Sequence, residues 1–214
     1  MHDFPTRRRL YLMRHGEVSY FEQGRTQAAA AALALADIPF DRAVTSGLPR
    51  ADQTAAIVLG DRALPVITEP GLREIRGGRL ADIPAQELRR TFVDALTRRL
   101  SAADTFLLGE SFGDFRDRVL PAFHGLIADA SWSAMLLVAH GAVNRVILAD
   151  ALGLDLHGIG HLEQDAGCIN LLDFDEQGYG IVRLVNYTPY NPLKDGLALT
   201  TMERYFLDFP PAAE

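Results

Sequence analysis

Short apolar runs alternate along this chain with segments of helical composition, and most of the runs stop abruptly at polar residues. Residues 10–13 (Leu-Tyr-Leu-Met) end in Arg14-His15-Gly16, the pattern of a buried strand that breaks at its carboxyl end. Residues 27–36 are nearly all alanine and leucine, a strong helix composition, which Asp37, Pro39 and Asp41 close. Residues 42–46 predict a second strand. Pro49 suits a helix N-terminus, where a missing N–H has no partner to lose, and 51–59 continue helically to Gly60. Residues 66–68 predict a short strand. An amphipathic helical pattern covers 83–100, and 112–130 predict a helix that Pro121 kinks or breaks. Residues 134–139 (Ala-Met-Leu-Leu-Val-Ala) are the most strand-like run, ending in His140-Gly141, with a helix over 143–152 and Gly153 just past its end. Residues 168–174 and 181–187 flank a glycine-containing turn, a hairpin signal. Tyr11, Phe112, Phe115 and Phe123 read as core, and Trp132 as packing at the start of a strand. Strands alternating with helices predict an α/β fold with a largely parallel sheet, and neither a repeat nor a low-complexity linker divides the chain.

Composition narrows the class. The chain has 214 residues, 48% hydrophobic and 23% charged, as in soluble globular proteins large enough to bury a core without staples. Its formal charge is −7, so no global field favours nucleic acid or an anionic membrane surface, and an anionic ligand must be held by a local basic cluster. A single cysteine, Cys168, forms no internal disulfide, which fits a reducing compartment. The basic run Arg7-Arg8-Arg9 precedes too short an apolar stretch for a secretory signal, and no window carries the run that a membrane span needs. A cytoplasmic protein fits these features.

Three predicted strands end in clusters that carry chemistry: Arg14-His15-Gly16, Thr45-Ser46 with Arg50, and His140-Gly141 with Asn144-Arg145. In open α/β sheets the carboxyl ends of the strands converge on one crevice, which brings two histidines and at least two arginines to one pocket. Histidine pairs serve either metal binding or acid–base and nucleophilic chemistry. Arginines beside them repel a metal cation and match phosphate or carboxylate oxygens in a bidentate fork, so the cluster points to phosphate. A lone His-Gly pair is ordinarily a turn, and an arginine at a helix start is ordinarily solvated. Their recurrence at equivalent strand ends gives them functional weight.

These residues carry a resemblance to the histidine phosphatase superfamily, the phosphoglycerate mutase-like fold. Residues 12–17 (Leu-Met-Arg-His-Gly-Glu) resemble its Arg-His-Gly signature. Residues 45–55, from Thr45-Ser46 through Arg50-Ala51 to Gln53-Thr54-Ala55, are similar to its Ser-x-Leu-x-Arg-Ala-x-Gln-Thr-Ala segment. Leu72-Arg73-Glu74-Ile75 with Gly77 resembles the segment that carries the family's acid–base glutamate. Gly109-Glu110-Ser111-Phe112 with Arg116 or Arg118 resembles the Gly-Glu-Ser…Arg segment, and Val138-Ala139-His140-Gly141 with Arg145 the second-histidine motif. The five matches occur in family order. The chain departs from the pattern between Gly16 and Ala28, where the family's loop is longer by about a dozen residues, which leaves Ser19 as a candidate for a substrate contact from that side.

The resemblance implies a three-layer αβα sandwich with a mostly parallel central sheet, a single domain over 1–214 with a helical cap-like segment at about 80–130. It implies His15 as a nucleophile that forms a phosphohistidine, with Arg14, Arg50 and His140 around the phosphoryl group and Glu74 as general acid and then base. Glu74 must start protonated, so its pKa is expected to be raised. Glu17, Ser19, Glu110 and Ser111 are further candidates at the rim; for Ser111 a helix-start role is an equal alternative. Arg145 is expected to brace the site from behind. Two arginines and a second histidine provide the positive charge, so neither a metal nor a cofactor is implied. The expected activity is a phosphomonoesterase acting on a small phosphate ester. A cofactor-dependent phosphoglycerate mutase and a non-catalytic phosphate-binding member of the fold are the alternatives. The mutase is disfavoured because the interval between Glu74 and Gly109 is short and its Arg89, Arg90, Arg98 and Arg99 read as a solvated helix face. No nucleic-acid or membrane partner is expected, and an exposed edge strand leaves room for a homodimer.

Overall fold

A computed structural model describes residues 6–18, 21–96 and 99–208. Its sheet has six strands: β1 (Arg8–Arg14), β2 (Arg42–Thr45), β3 (Val66–Thr68), β4 (Ala134–Ala139), β5 (Ile169–Phe174) and β6 (Gly180–Tyr187). The order is β3-β2-β4-β1-β5-β6. The first four of these are parallel neighbours, and the hairpin β5-β6 adds to β1 antiparallel. The helices are α1 (Phe21–Ala34), α2 (Pro49–Leu59), α3 (Ala85–Val93), α4 (Phe112–Ala128), α5 (Gly141–Ala151) and α6 (Thr201–Asp208).

The inner strands β1, β2 and β4 read as apolar runs because both faces of the sheet are covered there, while β3 at the edge is exposed. Successive side chains point to opposite faces. Leu10, Leu12, Met135, Leu137 and Leu172 therefore join a core with Phe115, Val119 and Phe123 of α4 and Val143 and Ile147 of α5. Tyr11, Met13, Ala43, Leu136 and Val138 join a separate core with Ala31 of α1 and Ala51, Ala55 and Val58 of α2. Two cores on opposite faces give three layers. Trp132 is buried just before β4 and donates its indole N–H to the Leu126 carbonyl, under the Arg8 guanidinium.

The register positions the chemistry. β1 and β4 pair Met13 with Val138 and Arg14 with Ala139, so the next residues, His15 and His140, emerge side by side. The His15 N–H closes the ladder onto the Ala139 carbonyl at 3.1 Å. β2 pairs Thr45 with Val138, which brings Ser46 to the same strand ends.

Four elements differ from the sequence expectation. α1 begins at Phe21, before the alanine-rich run, and includes Gly24 because the Glu17 carbonyl oxygen lies 2.1 Å from where a Cβ would stand. Among the described residues, the pattern over 83–100 yields a helix at Ala85–Val93, residues 97 and 98 lying outside them; Leu96 and Leu100 beyond it are buried in the core. α4 runs through Pro121 to Ala128 without a break. An interior proline costs about 3 kcal/mol, and the burial of Val119, Phe123 and Ile127 on both sides of it outweighs that cost. α6 has no counterpart in the sequence reading. The segment expected as a cap over 80–130 also divides: α4 packs into the sheet layer, while α3 and the loops before α4 stand over the strand ends. No described helix is long and apolar enough to cross a membrane.

α4 starts on a side-chain cap, with the Ser111 hydroxyl accepting from the Asp114 N–H at 3.0 Å and donating to its carboxylate at 2.8 Å. Ser111→Ala is expected to destabilise the fold by about 1 kcal/mol, read as a fall in Tm of roughly 2–4 °C in a thermal melt.

Candidate active site

His15 follows β1 and is buried. Its Nδ1 lies 2.7 Å from the Gly16 carbonyl oxygen. A carbonyl only accepts, so Nδ1 carries the proton and Nε2 presents a lone pair. That lone pair accepts from Arg50 Nε at 3.1 Å. Burial, reinforced by the positive charge of Arg14, by His140 and by Arg50, holds the His15 pKa well below the ordinary imidazole value, against the opposing pull of the Gly16 carbonyl. His15 is thus a neutral imidazole at pH 7 with its free nitrogen directed to the guanidinium of Arg50.

His140 packs edge-on against His15, ring centroids 5.1 Å apart. Its Nε2 pairs with the Ser46 hydroxyl at 2.7 Å, and its Nδ1 has no hydrogen-bond partner among the described residues. Burial, then Arg50, Arg14 and Arg118, push its pKa down to about 3. It is fully buried and stands beside His15 rather than on the cavity wall.

Arg14, also buried, donates from Nη1 to the Gln164 carbonyl at 2.6 Å and from Nη2 to the Tyr205 hydroxyl, while its Nε is unpartnered. Gln164 is itself fixed by hydrogen bonds to Asn170, whose amide donates to the Leu12 carbonyl. Glu74 comes from an irregular segment opposite. Its carboxylate accepts from the Ile75 N–H at 2.9 Å and, at 3.3 Å, from the Ala142 N–H in the first turn of α5. Desolvation raises its pKa even so, outweighing those two donors and the positive charges of Arg14 and Arg50. The expected shift is present.

Arg14, His15, Arg50 and Glu74 line a cavity of about 470 Å³. Glu17 lines it too, its N–H held by the Gln27 side chain. Ser19 lies outside the described residues. Glu110 and Ser111 are not on the cavity wall. Burial alone would raise the Glu110 pKa, but Arg118 at 3.0–3.1 Å and the Arg76 N–H lower it on balance. Arg118 also donates to the Gly71 and Arg73 carbonyls, so the Glu110–Arg118 pair fixes the segment that presents Glu74. Arg145 lies at the back of the cavity, bonded to the Ile159 carbonyl and ion-paired with Glu163 at 2.9 Å. Cys168, fully buried with its thiol pushed up to about 12 by desolvation, is not a nucleophile.

The sequence reading missed Gln164 and the residues of α6 that reach the site, Thr201, Met202 and Tyr205. Met202, Tyr205 and Phe206 stand at the i, i+3, i+4 spacing of one helical face, the signal that would have found the helix.

The chain has counterparts among known proteins. Residues 10–187 match the family described as the histidine phosphatase superfamily (branch 1). A probable 2-carboxy-D-arabinitol-1-phosphatase of Arabidopsis thaliana is 29% identical over 89% of this chain, which spans only 44% of that protein. A probable phosphoglycerate mutase of Yersinia enterocolitica is 26% identical over 78% of this chain and 85% of its own length. Among solved structures, the alpha-ribazole phosphatase of Shigella flexneri superimposes with a TM-score of 0.70 at 28% identity, covering 83% of this chain and 96% of that one.

Proposed function

Because the chain belongs to the histidine phosphatase superfamily, branch 1, we propose that it hydrolyses small phosphate monoesters through a phosphohistidine on His15. The observation that carries this reading is the Nδ1 contact of His15 to the Gly16 carbonyl, which leaves Nε2 as a buried, uncharged nucleophile beside two guanidiniums. The ester's phosphoryl group takes the place of Nε2 as the partner of Arg50. Nε2 then attacks phosphorus while the bond to the ester oxygen breaks. Arg14, whose Nε is unpartnered, and Arg50 stabilise the charge that spreads over the equatorial oxygens. His140, packed edge-on against the His15 ring from behind the cavity wall, holds that ring in place. Protonated Glu74 gives its proton to the departing alkoxide. In the second half, Glu74 takes a proton from water, the water oxygen attacks phosphorus, and the bond to Nε2 breaks to release phosphate.

Water as the acceptor fits better than a second phosphorylated substrate. A mutase must hold a further anionic group, and Arg145, the third arginine on the cavity wall, is already neutralised by Glu163. The charge that a metal would provide elsewhere is carried here by Arg14 and Arg50, so a metal-independent reaction is part of the proposal. Phosphate release from a panel of monoesters at pH 5 to 8 with EDTA present tests it. Release that survives the chelator supports a metal-free phosphatase. Release abolished by EDTA and restored by a divalent cation would contradict the metal-free reaction, and no release from any ester would contradict the phosphatase.

A further inference from the structure

Beyond the phosphoryl-binding end, the cavity wall changes character. Ile75, Phe92, Leu96, Phe106, Leu107 and Met202 give the rest of the lining an apolar surface. α3 and α6 both contribute to it, the Phe92 and Phe206 rings meeting at 6.1 Å. Leu107 has φ +49°, a conformation that a leucine adopts only when its surroundings impose it. They do: a Cβ on Gly78 would lie 2.7 Å from the Leu107 carbonyl oxygen, and one on Gly109 would lie 2.2 Å from the Arg76 carbonyl oxygen. The two loops are pressed backbone to backbone, and the strained residue's side chain is buried against the wall at 7% exposure.

Charge on this wall is accounted for. Among the described lining residues the cations are Arg14, Arg50 and Arg145. The first two flank His15, and the third is paired with Glu163 at 2.9 Å. A leaving group bearing a carboxylate would therefore bury its charge against leucine, isoleucine and phenylalanine, which is strongly unfavourable. One that is uncharged and apolar would find a surface of its own kind. Space is sufficient, since a dry cavity of roughly 150 Å³ already holds a benzene ring and this one measures about 470 Å³.

Resting on the phosphatase reading, we infer that the preferred substrates are phosphate esters of uncharged alcohols carrying an apolar or aromatic group. Phe92, Phe106 and Met202 determine that specificity, whereas Arg14, His15 and Arg50 take the phosphate whatever the alcohol.

The test compares benzyl phosphate with 3-phosphoglycerate, both esters of alkyl alcohols that need a proton on leaving, and measures kcat/KM for each with the full-length protein. The expected ratio favours benzyl phosphate by at least about tenfold, the scale on which an apolar pocket discriminates, and arises mainly in KM. Phe92→Ala is expected to lower that ratio several-fold. A wild-type ratio of one or below, with phosphate still released, would overturn the specificity and leave the phosphatase reading intact. An unchanged ratio in Phe92→Ala would overturn the assignment of the wall. No release from these two esters or from any of the wider panel would overturn the phosphatase reading, and the specificity with it.

Discussion

His15→Ala is expected to lower kcat for phosphate release by about 10⁴-fold or more, the scale seen when a covalent nucleophile is removed. Among the described residues the geometry offers no replacement. His140, the nearest imidazole, is fully buried and pairs through Nε2 with Ser46. Cys168 is fully buried with its thiol pushed up to about 12. The fold should survive, because the backbone N–H of residue 15 keeps its bond to the Ala139 carbonyl and the two cores do not include the His15 ring. A variant that melts like the wild type and releases no phosphate separates chemistry from folding. Activity within tenfold of wild type would exclude His15 as the nucleophile. The wild-type pH profile carries the complementary signature. With its folded pKa held below the ordinary value of about 6.5, His15 stays neutral as pH falls, so the acid limb of kcat/KM lies below pH 6.5.

Glu74→Gln carries the second large effect. Desolvation raises the Glu74 pKa, so the carboxyl is protonated below that raised value and loses its proton as pH rises through it. The acid that the first half-reaction needs is therefore present on the low-pH side, and the rate falls along the alkaline limb. Glutamine keeps the shape but gives no proton. For an alkyl phosphate the expected loss in kcat is about 10²–10⁴-fold, the usual contribution of a positioned general acid. For p-nitrophenyl phosphate, whose leaving group departs as a stable phenolate, the loss should be much smaller. The alkaline limb should also disappear. Equal losses for both esters, or an alkaline limb that persists in Glu74→Gln, would assign the acid role to another group.

Where local pattern and tertiary structure agree, the sequence was readable. The runs ending at Arg14, Thr45 and Ala139 are strands because both faces of the sheet are buried, and that continuous burial is visible in one dimension. Placing His15 beside His140 needed only the rule that parallel strands end together, and the ladder pairing Arg14 with Ala139 does so. Glu74 was different. It sits on an irregular segment with no period of its own, so only the resemblance to a known motif pointed to it. The Gly-Glu-Ser motif was legible as a pattern but not as a contact: Glu110 acts on Arg118 eight residues later, and that arginine fixes the backbone before Glu74. α6 escaped because eight residues are too few for their apolar spacing to stand out. Its contacts to Arg14 lie more than 180 residues away in the chain. The overlong helix over 83–100 failed for the opposite reason, since its apolar spacing persists where Leu96 and Leu100 are buried outside any helix.

The covalent intermediate is the most direct test of the proposed chemistry. The protein would be quenched in base during turnover of an ester labelled with radioactive phosphorus, then digested, and the modified peptide sequenced by mass spectrometry. A phosphoryl group on the peptide containing His15, stable to base, labile to acid and absent from His15→Ala, is the expected result. Turnover with no trapped label, or label on a different residue that persists in His15→Ala, would contradict it.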